Sequence, residues 1–173
     1  MKKAMEARDD PQILTGEWAK THLVLQQDYM IENVRRVLER YVPASVLVEL
    51  KDKFAMVCRP IDSGATVIRP ELLKGLHVIV LSVHLVPKGS PPMSFPEEYV
   101  ALVLLHELAH IYLGHHPPST DQTQHEAHCL ALDWYNEAQG RSMTMDDLGK
   151  LRECCDEFWI YEDPDPVVTG TEE

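Results

Sequence analysis

The chain has 173 residues, of which 45% are hydrophobic and 25% charged, a composition typical of a soluble globular protein with one core. Its formal net charge of −12 repels a phosphate backbone, so we expect no nucleic acid among its partners. We also expect a cytoplasmic protein without a signal peptide or a membrane partner, because no apolar run is long enough to span a bilayer and the four cysteines form no C-x-x-C pair.

The first half of the chain predicts one long helix followed by a small sheet. Apolar residues at helical spacing predict a helix over 17–41, which ends before Pro43. Short β-branched runs, separated by proline and glycine, then predict strands. These runs are SVLVEL (45–50), FAMVC (54–58), ATVIR (65–69) and HVIVLSVHLV (77–86).

The second half predicts three helices. Ser94 and Glu97 have the spacing of a capping box, which predicts a helix from about 96 to 114 with Gly114 as its C-cap. Two further helices are predicted over 121–138 and 145–160.

The order of these elements predicts an α+β fold: an N-terminal helix, a small mixed sheet, and then three helices. We expect a single domain over 17–161, preceded by a flexible N-terminus over 1–16. The acidic residues 162–173 have a composition typical of a disordered tail.

The helix predicted over 96–114 contains the pattern His-Glu-x-x-His in a segment that is apolar nearly all round, which is typical of a buried helix. His106 and His110 are four residues apart, so their Cβ atoms lie about 5–6 Å apart on one face and both imidazoles can bind one Zn²⁺. Glu107 lies about 100° further round, where a carboxylate can act as general base on a metal-bound water. A divalent cation also supplies the charge that a buried carboxylate lacks.

A catalytic zinc site needs a third protein ligand and an open position. Glu126 is the predicted third ligand, because the short loop after the motif lets the next helix fold back beside it. His116 has the spacing of a longer histidine motif, but that pattern requires glycine at 113, where this chain has leucine. The remaining alternatives for the third ligand are His128, His125 and Asp121.

Two motifs, HELAHIYLGHH (106–116) and QHEAHCLALDWY (124–135), resemble the gluzincin-type metallopeptidases of the IrrE/ImmA class. The second helix of that class has a pattern close to E-x-E-A-N-x-F-A, in which Glu126 and Ala127 match the E-A pair. The chain departs from this pattern at Gln124, His128 and Leu130. The resemblance implies a zincin core and a zinc-dependent peptidase that cuts a specific repressor-like protein in stress response or mobile-element control.

Other residues are candidates for supporting roles in such a site. The run 77–83 is either a substrate-binding edge strand or an interior strand of the sheet. The candidates for a donor to the transition state are His128, Tyr112 and Tyr135, and those for orienting a ligand histidine are Asp121 and Asp133.

The same residues are compatible with other functions. A zinc ion with four protein ligands would be structural, and the protein would then be a non-catalytic, metal-binding regulator. A metal-free scaffold and a hydrolase of small amides or cell-wall peptides are further alternatives. Mn²⁺ or Fe²⁺ could replace zinc, although two histidines and a glutamate favour zinc.

Overall fold

The computed structural model describes residues 13–25, 28–59, 65–68, 75–82, 85, 95–115 and 120–159. These residues form an α+β fold with six helices and one four-stranded mixed sheet, which confirms the predicted fold class. None of the described helices is long and apolar enough to cross a membrane. The predicted tail, 162–173, and all but the last four residues of the predicted flexible N-terminus, 1–16, lie outside the described residues.

The N-terminal region is not the single helix predicted over 17–41. It consists of α1 (Gly16–His22), β1 (Leu23–Val24) and α2 (Asp28–Tyr41). The helix ends because Leu23 leaves helical geometry and pairs in parallel with Met56 in the sheet, where its side chain is fully buried. Helix α1 is held in place by Trp18, whose indole N–H donates to the carbonyl oxygen of Lys51 at 2.8 Å. Sheet pairing therefore overrides a continuous helical pattern here.

The predicted strand over 45–50 is wrong, because this segment is helix α3 (Ala44–Leu50). A strand would bury alternate residues, but the adjacent residues Val46 and Leu47 are both buried. The buried side chains are Val46, Leu47 and Leu50, which is helical spacing. Pro43 has a φ of −55° and precedes the first helical residue, a position that proline tolerates.

The sheet consists of β1, β2 (Phe54–Arg59), β3 (Ala65–Ile68) and β4 (His77–Ser82), in the order β1-β2-β4-β3. Strands β1 and β4 both run parallel to β2, and β3 runs antiparallel to β4. The strands predicted at 54–58 and 65–69 are confirmed, and the one predicted over 77–86 is confirmed as far as 82. Strand β4 is interior, so the predicted run 77–83 does not form an edge, and β3 is the edge strand on this side of the described sheet.

Helix α4 (Glu97–Tyr112) lies in the centre of the protein and carries the His-Glu-x-x-His pattern. The predicted capping box is wrong, because the N-cap is Pro96 and not Ser94, which lies outside the described residues. The carboxylate of Glu97 instead accepts hydrogen bonds from Tyr41 Oη at 3.1 Å and from Arg40 at 2.9 Å. This helix is buried on nearly all sides, as the sequence predicts.

Helix α4 has its C-cap at Leu113, one residue before the predicted C-cap Gly114, which forms the turn that follows. Gly114 has a φ of +70°, a left-handed conformation that favours glycine. Its N–H donates to the carbonyl oxygen of Ile111 at 3.2 Å, and the N–H of His115 donates to the carbonyl oxygen of His110 at 3.0 Å. These two bonds are those of a Schellman motif, and they turn the chain so that His115 returns to the last turn of the helix.

Helices α5 (Asp121–Gln139) and α6 (Met145–Trp159) agree with the predicted elements to within one residue. Thr120 and Thr123 form a capping box at the start of α5, and Gly140 ends it at a φ of +59°. Helix α5 packs antiparallel to α4, since Tyr135 contacts Glu98 at one end of the pair while Gln124 contacts His106 nearer the other. The carboxyl-terminal half of α4 is therefore covered by the amino-terminal half of α5.

Leu108→Ala tests whether α4 is the core of the fold. The Leu108 side chain is fully buried, so its truncation should lower the free energy of unfolding by about 3 kcal/mol through lost burial and a residual cavity. Leu113→Ala is the control, because Leu113 is 42% exposed and its loss should cost about 0.5 kcal/mol or less. Chemical denaturation measures both values, and equal losses would contradict the central position of α4.

Candidate metal centre

Two histidine side chains on α4 converge on one point. The Nε2 atoms of His106 and His110 lie 3.1 Å apart, and their rings are nearly perpendicular, with centroids 4.6 Å apart. Two nitrogen ligands at about 2.0–2.1 Å from a tetrahedral zinc ion are about 3.3 Å apart from each other. The observed separation is close to this value, so the pair fits as two ligands of one metal ion.

Both imidazoles are held in the neutral form that metal ligation requires. Burial, together with the smaller effects of the nearby His128 and His110, lowers the pKa of His106 to about 3. The pKa of His110 is also lowered, first by burial and then by His115. The buried Nδ1 atom of His106 has no hydrogen-bond partner among the described residues, and an orphaned buried polar atom often marks a functional site.

Glu107 lies next to this pair in the chain and is almost completely buried, with 8% of its surface exposed. Burial raises the pKa of its carboxyl group to about 7. A carboxyl group with a pKa near the working pH can both accept and return a proton, which is the requirement for a general acid–base residue. The predicted catalytic residue is therefore in an environment suited to that role.

Helix α5 places an amide and an imidazole beside the pair. Gln124 Oε1 is 3.0 Å from His106 Nε2. The ring of His128 stacks on that of His106, with centroids 4.1 Å apart and an interplanar angle of 30°. Gln124 and His128 are four residues apart, so they share the face of α5 that is turned toward the histidine pair.

Glu126, the predicted third ligand, lies on another face of α5, about 200° round from Gln124. Its side chain is 45% exposed, and its Oε2 atom lies 3.1 Å from Nε2 of His115. The Nδ1 atom of His115 is in turn 2.9 Å from Nδ1 of His110. The structure thus connects Glu126 to the histidine pair through an imidazole and not directly, and its role as a ligand stays a prediction.

Of the other predicted alternatives for the third ligand, His128 lies at the pair, whereas His125 and Asp121 do not. His125 is exposed and its Nε2 is 3.6 Å from the sulfur of Cys129, and Asp121 is exposed at the start of α5. His116 is outside the described residues. Within the part of the chain that the structure describes, no group of three or more histidine, cysteine, aspartate or glutamate side chains has metal-binding geometry.

The three candidates for a hydrogen-bond donor to the transition state lie in different parts of the structure. Tyr135 is buried at the other end of α4, where its hydroxyl donates to Glu98. Tyr112 is 43% exposed and its ring packs edge-on against Trp134. Of the three candidates, only His128 touches the histidine pair. Asp133, a candidate for orienting a ligand, is exposed on α5.

Two residues at the site were not predicted as part of it. Gln124 stands out in the sequence only as a departure from the IrrE/ImmA pattern, although its spacing from His128 shows that the two share a helix face. His115 is not among the predicted site residues, although a glycine before it is the signal for a Schellman turn that returns it to the helix.

No family model matches this chain, and neither a curated protein nor a solved structure matches it. The resemblance to the IrrE/ImmA class therefore stays a prediction, carried by the motifs at 106–116 and 124–135. The arguments for function below depend on the geometry of the histidine pair and on Glu107.

Proposed function

We propose that this protein is a zinc-dependent hydrolase of peptide bonds, with a zincin-like core. The observation that carries the proposal is the pair of Nε2 atoms, 3.1 Å apart, on His106 and His110. Glu107, buried and next to them in the chain, adds a carboxyl group with a pKa of about 7. Two converging neutral imidazoles and a base follow the arrangement of hydrolytic zinc sites.

Each residue of the site has a distinct role in this proposal. His106 and His110 would hold the metal through Nε2. Glu126 is the third ligand that the sequence predicts, and in this structure its carboxylate is connected to the pair through His115. When bound, zinc supplies the positive charge that polarises a substrate carbonyl and acidifies a water molecule. Glu107 would accept a proton from the attacking water and return it to the nitrogen of the leaving amine. Its hydrophobic surroundings keep its pKa high enough to make the return step favourable.

The sheet offers a place for an extended peptide substrate. Strand β3 (Ala65–Ile68) is the edge strand of the described sheet and is in contact with α4. A substrate strand that pairs with this edge gains main-chain hydrogen bonds and lies along the helix that carries the site. We therefore assign the peptide-binding role to β3 in place of the run 77–83, with a protein or peptide as substrate.

A non-catalytic, metal-binding regulator is the second candidate function. The observation that favours it is that His115 and His128 are both in contact with the pair, so four imidazoles lie close together. A metal with four protein ligands has no open position and is structural. Metal-dependent cleavage of a peptide substrate would exclude this candidate.

His106→Ala tests whether the pair binds metal. Apparent binding energies of structural zinc sites are about 10–16 kcal/mol for four ligands, so losing one ligand should weaken Zn²⁺ binding by roughly 100-fold or more. Competition with a chromophoric chelator measures the affinity. His125→Ala is the matched control, because this imidazole is exposed on α5 and should not affect binding. Equal Zn²⁺ affinity in wild type and His106→Ala would overturn the proposed function.

A further inference from the structure

His115 is fixed against His110 by its main chain as well as its side chain. The Schellman turn gives the hydrogen bond from the N–H of His115 to the carbonyl oxygen of His110, at 3.0 Å. The two Nδ1 atoms lie 2.9 Å apart, with ring centroids separated by 5.1 Å. The side chain of His115 is only 11% exposed. This imidazole therefore has a defined position on the side of His110 that faces away from His106.

The hydrogen bonds on either side of His115 determine which ring nitrogens carry hydrogen. An ionised carboxylate only accepts hydrogen bonds, so the contact with Glu126 places a hydrogen on Nε2 of His115. In a neutral imidazole the other nitrogen, Nδ1, is then an acceptor. His110 must donate to it from its own Nδ1. The Nε2 atom of His110 is left with a lone pair, directed at the point where it meets His106.

We propose that Glu126 acts on the metal site through His115, as a positioning residue for His110 and not as a direct ligand. The series Glu126–His115–His110 fixes both the orientation of the His110 ring and the tautomer in which Nε2 is free to bind metal. This inference rests on the proposed function. Histidines that bind metal commonly donate their other ring N–H to such a partner, and loss of that partner weakens metal binding by about 10- to 100-fold.

Glu126 has a further contact that holds its carboxylate in this position. The side-chain amide of Gln122 donates to Oε1 of Glu126 at 2.9 Å, while Oε2 faces His115. Both carboxylate oxygens are thus engaged on the outer side of the site. A direct bond from Glu126 to a metal at the histidine pair would require at least one of these two contacts to break.

The test is a double-mutant cycle on metal affinity in the full chain. Glu126→Gln and His115→Phe should each weaken Co²⁺ and Zn²⁺ binding by about 10- to 100-fold, and the double variant should bind no more weakly than either single variant. Glu137→Gln is the matched control, because Glu137 is exposed on the same helix. Thermal melting shows whether each variant folds, and His115→Asn takes the place of His115→Phe if that variant does not.

A second measurement needs no metal. Imidazole ¹⁵N chemical shifts of metal-free protein should show hydrogen on Nδ1 of His110 in the wild type and a mixture of tautomers in Glu126→Gln. A direct ligand role is indicated if Glu126→Gln weakens binding as much as His106→Ala while His115→Phe binds like wild type, and this overturns the inference. Additive losses, or an unchanged His110 tautomer, also overturn it. If His106→Ala itself binds metal like wild type, the proposed function has failed instead.

Discussion

Glu107→Gln is expected to lower kcat/KM for peptide cleavage by about 10²- to 10⁴-fold, the usual contribution of a general base. Glutamine has nearly the same shape but cannot accept a proton, so the fold and the metal affinity should not change. Peptide cleavage with added Zn²⁺ measures the rate, and chelator competition measures the affinity. If cleavage persists at the wild-type rate, the base is another residue.

The same substitution should change how the stability of the metal-free protein depends on pH. Burial raises the pKa of Glu107 from 4.5 in the unfolded chain to about 7 in the fold. Between these values the folded state binds more protons than the unfolded state, so the free energy of unfolding falls as pH rises through this window. Above about pH 7 the free energy of unfolding is lower by about 3 kcal/mol than at low pH, since one pKa unit corresponds to about 1.4 kcal/mol.

Glu107→Gln removes this ionisation. Between pH 4.5 and pH 8, the free energy of unfolding of the metal-free variant should therefore rise relative to that of wild type by up to about 3 kcal/mol. Urea denaturation with a chelator present, at both pH values, measures the change. Glu137→Gln is the control, because an exposed carboxylate should show no such difference. A constant difference between wild type and Glu107→Gln across this range would contradict the buried position of Glu107.

The helix with the histidine motif could be predicted because its evidence is local. An uninterrupted apolar segment predicts a buried helix, and the four-residue spacing of His106 and His110 dictates that they share a face. Gly114 likewise predicts where the helix ends. These features depend on residues within one or two turns of each other, and the structure confirms all three.

The partner helix shows the limit of such reasoning. The sequence predicts that α5 exists and that it folds back on α4, but not how α5 is rotated about its own axis. That rotation is set by the side chains that α5 buries in the core, among them Ala127, Ala131 and Tyr135. With these buried, Gln124 is turned toward His106 and Glu126 is turned away. Tertiary packing therefore decides which side chain of α5 lies nearest to the histidine pair.

The errors in the first half of the chain have a related origin. Valine is enriched in strands, so the run at 45–50 predicts β-structure although its buried positions follow helical spacing. At Leu23, a two-residue strand interrupts a helical pattern because it pairs with a distant segment. In both places the deciding interaction is burial against residues far away in the chain.

Gln124→Glu is expected to tighten Zn²⁺ binding by about 10- to 100-fold. The Oε1 atom of Gln124 is 3.0 Å from Nε2 of His106, whereas the carboxylate of Glu126 contacts His115 and reaches the pair only through that imidazole. An amide oxygen is an uncharged metal ligand, whereas a carboxylate ligand also adds a full negative charge. Opposite unit charges about 4 Å apart attract by about 1 kcal/mol in water and about 4 kcal/mol at a protein surface. Chelator competition measures the gain.

The control for this prediction is Gln139→Glu, which adds the same charge at the far end of α5 and should leave Zn²⁺ affinity unchanged. In the metal-free protein, a carboxylate at 124 should also raise the pKa of His106 from its value of about 3, since a nearby anion favours the imidazolium form. An NMR titration detects that shift. If both quantities stay at their wild-type values, the side chain at 124 does not face the pair in solution. If both rise, a carboxylate at position 124 reaches the metal-binding pair.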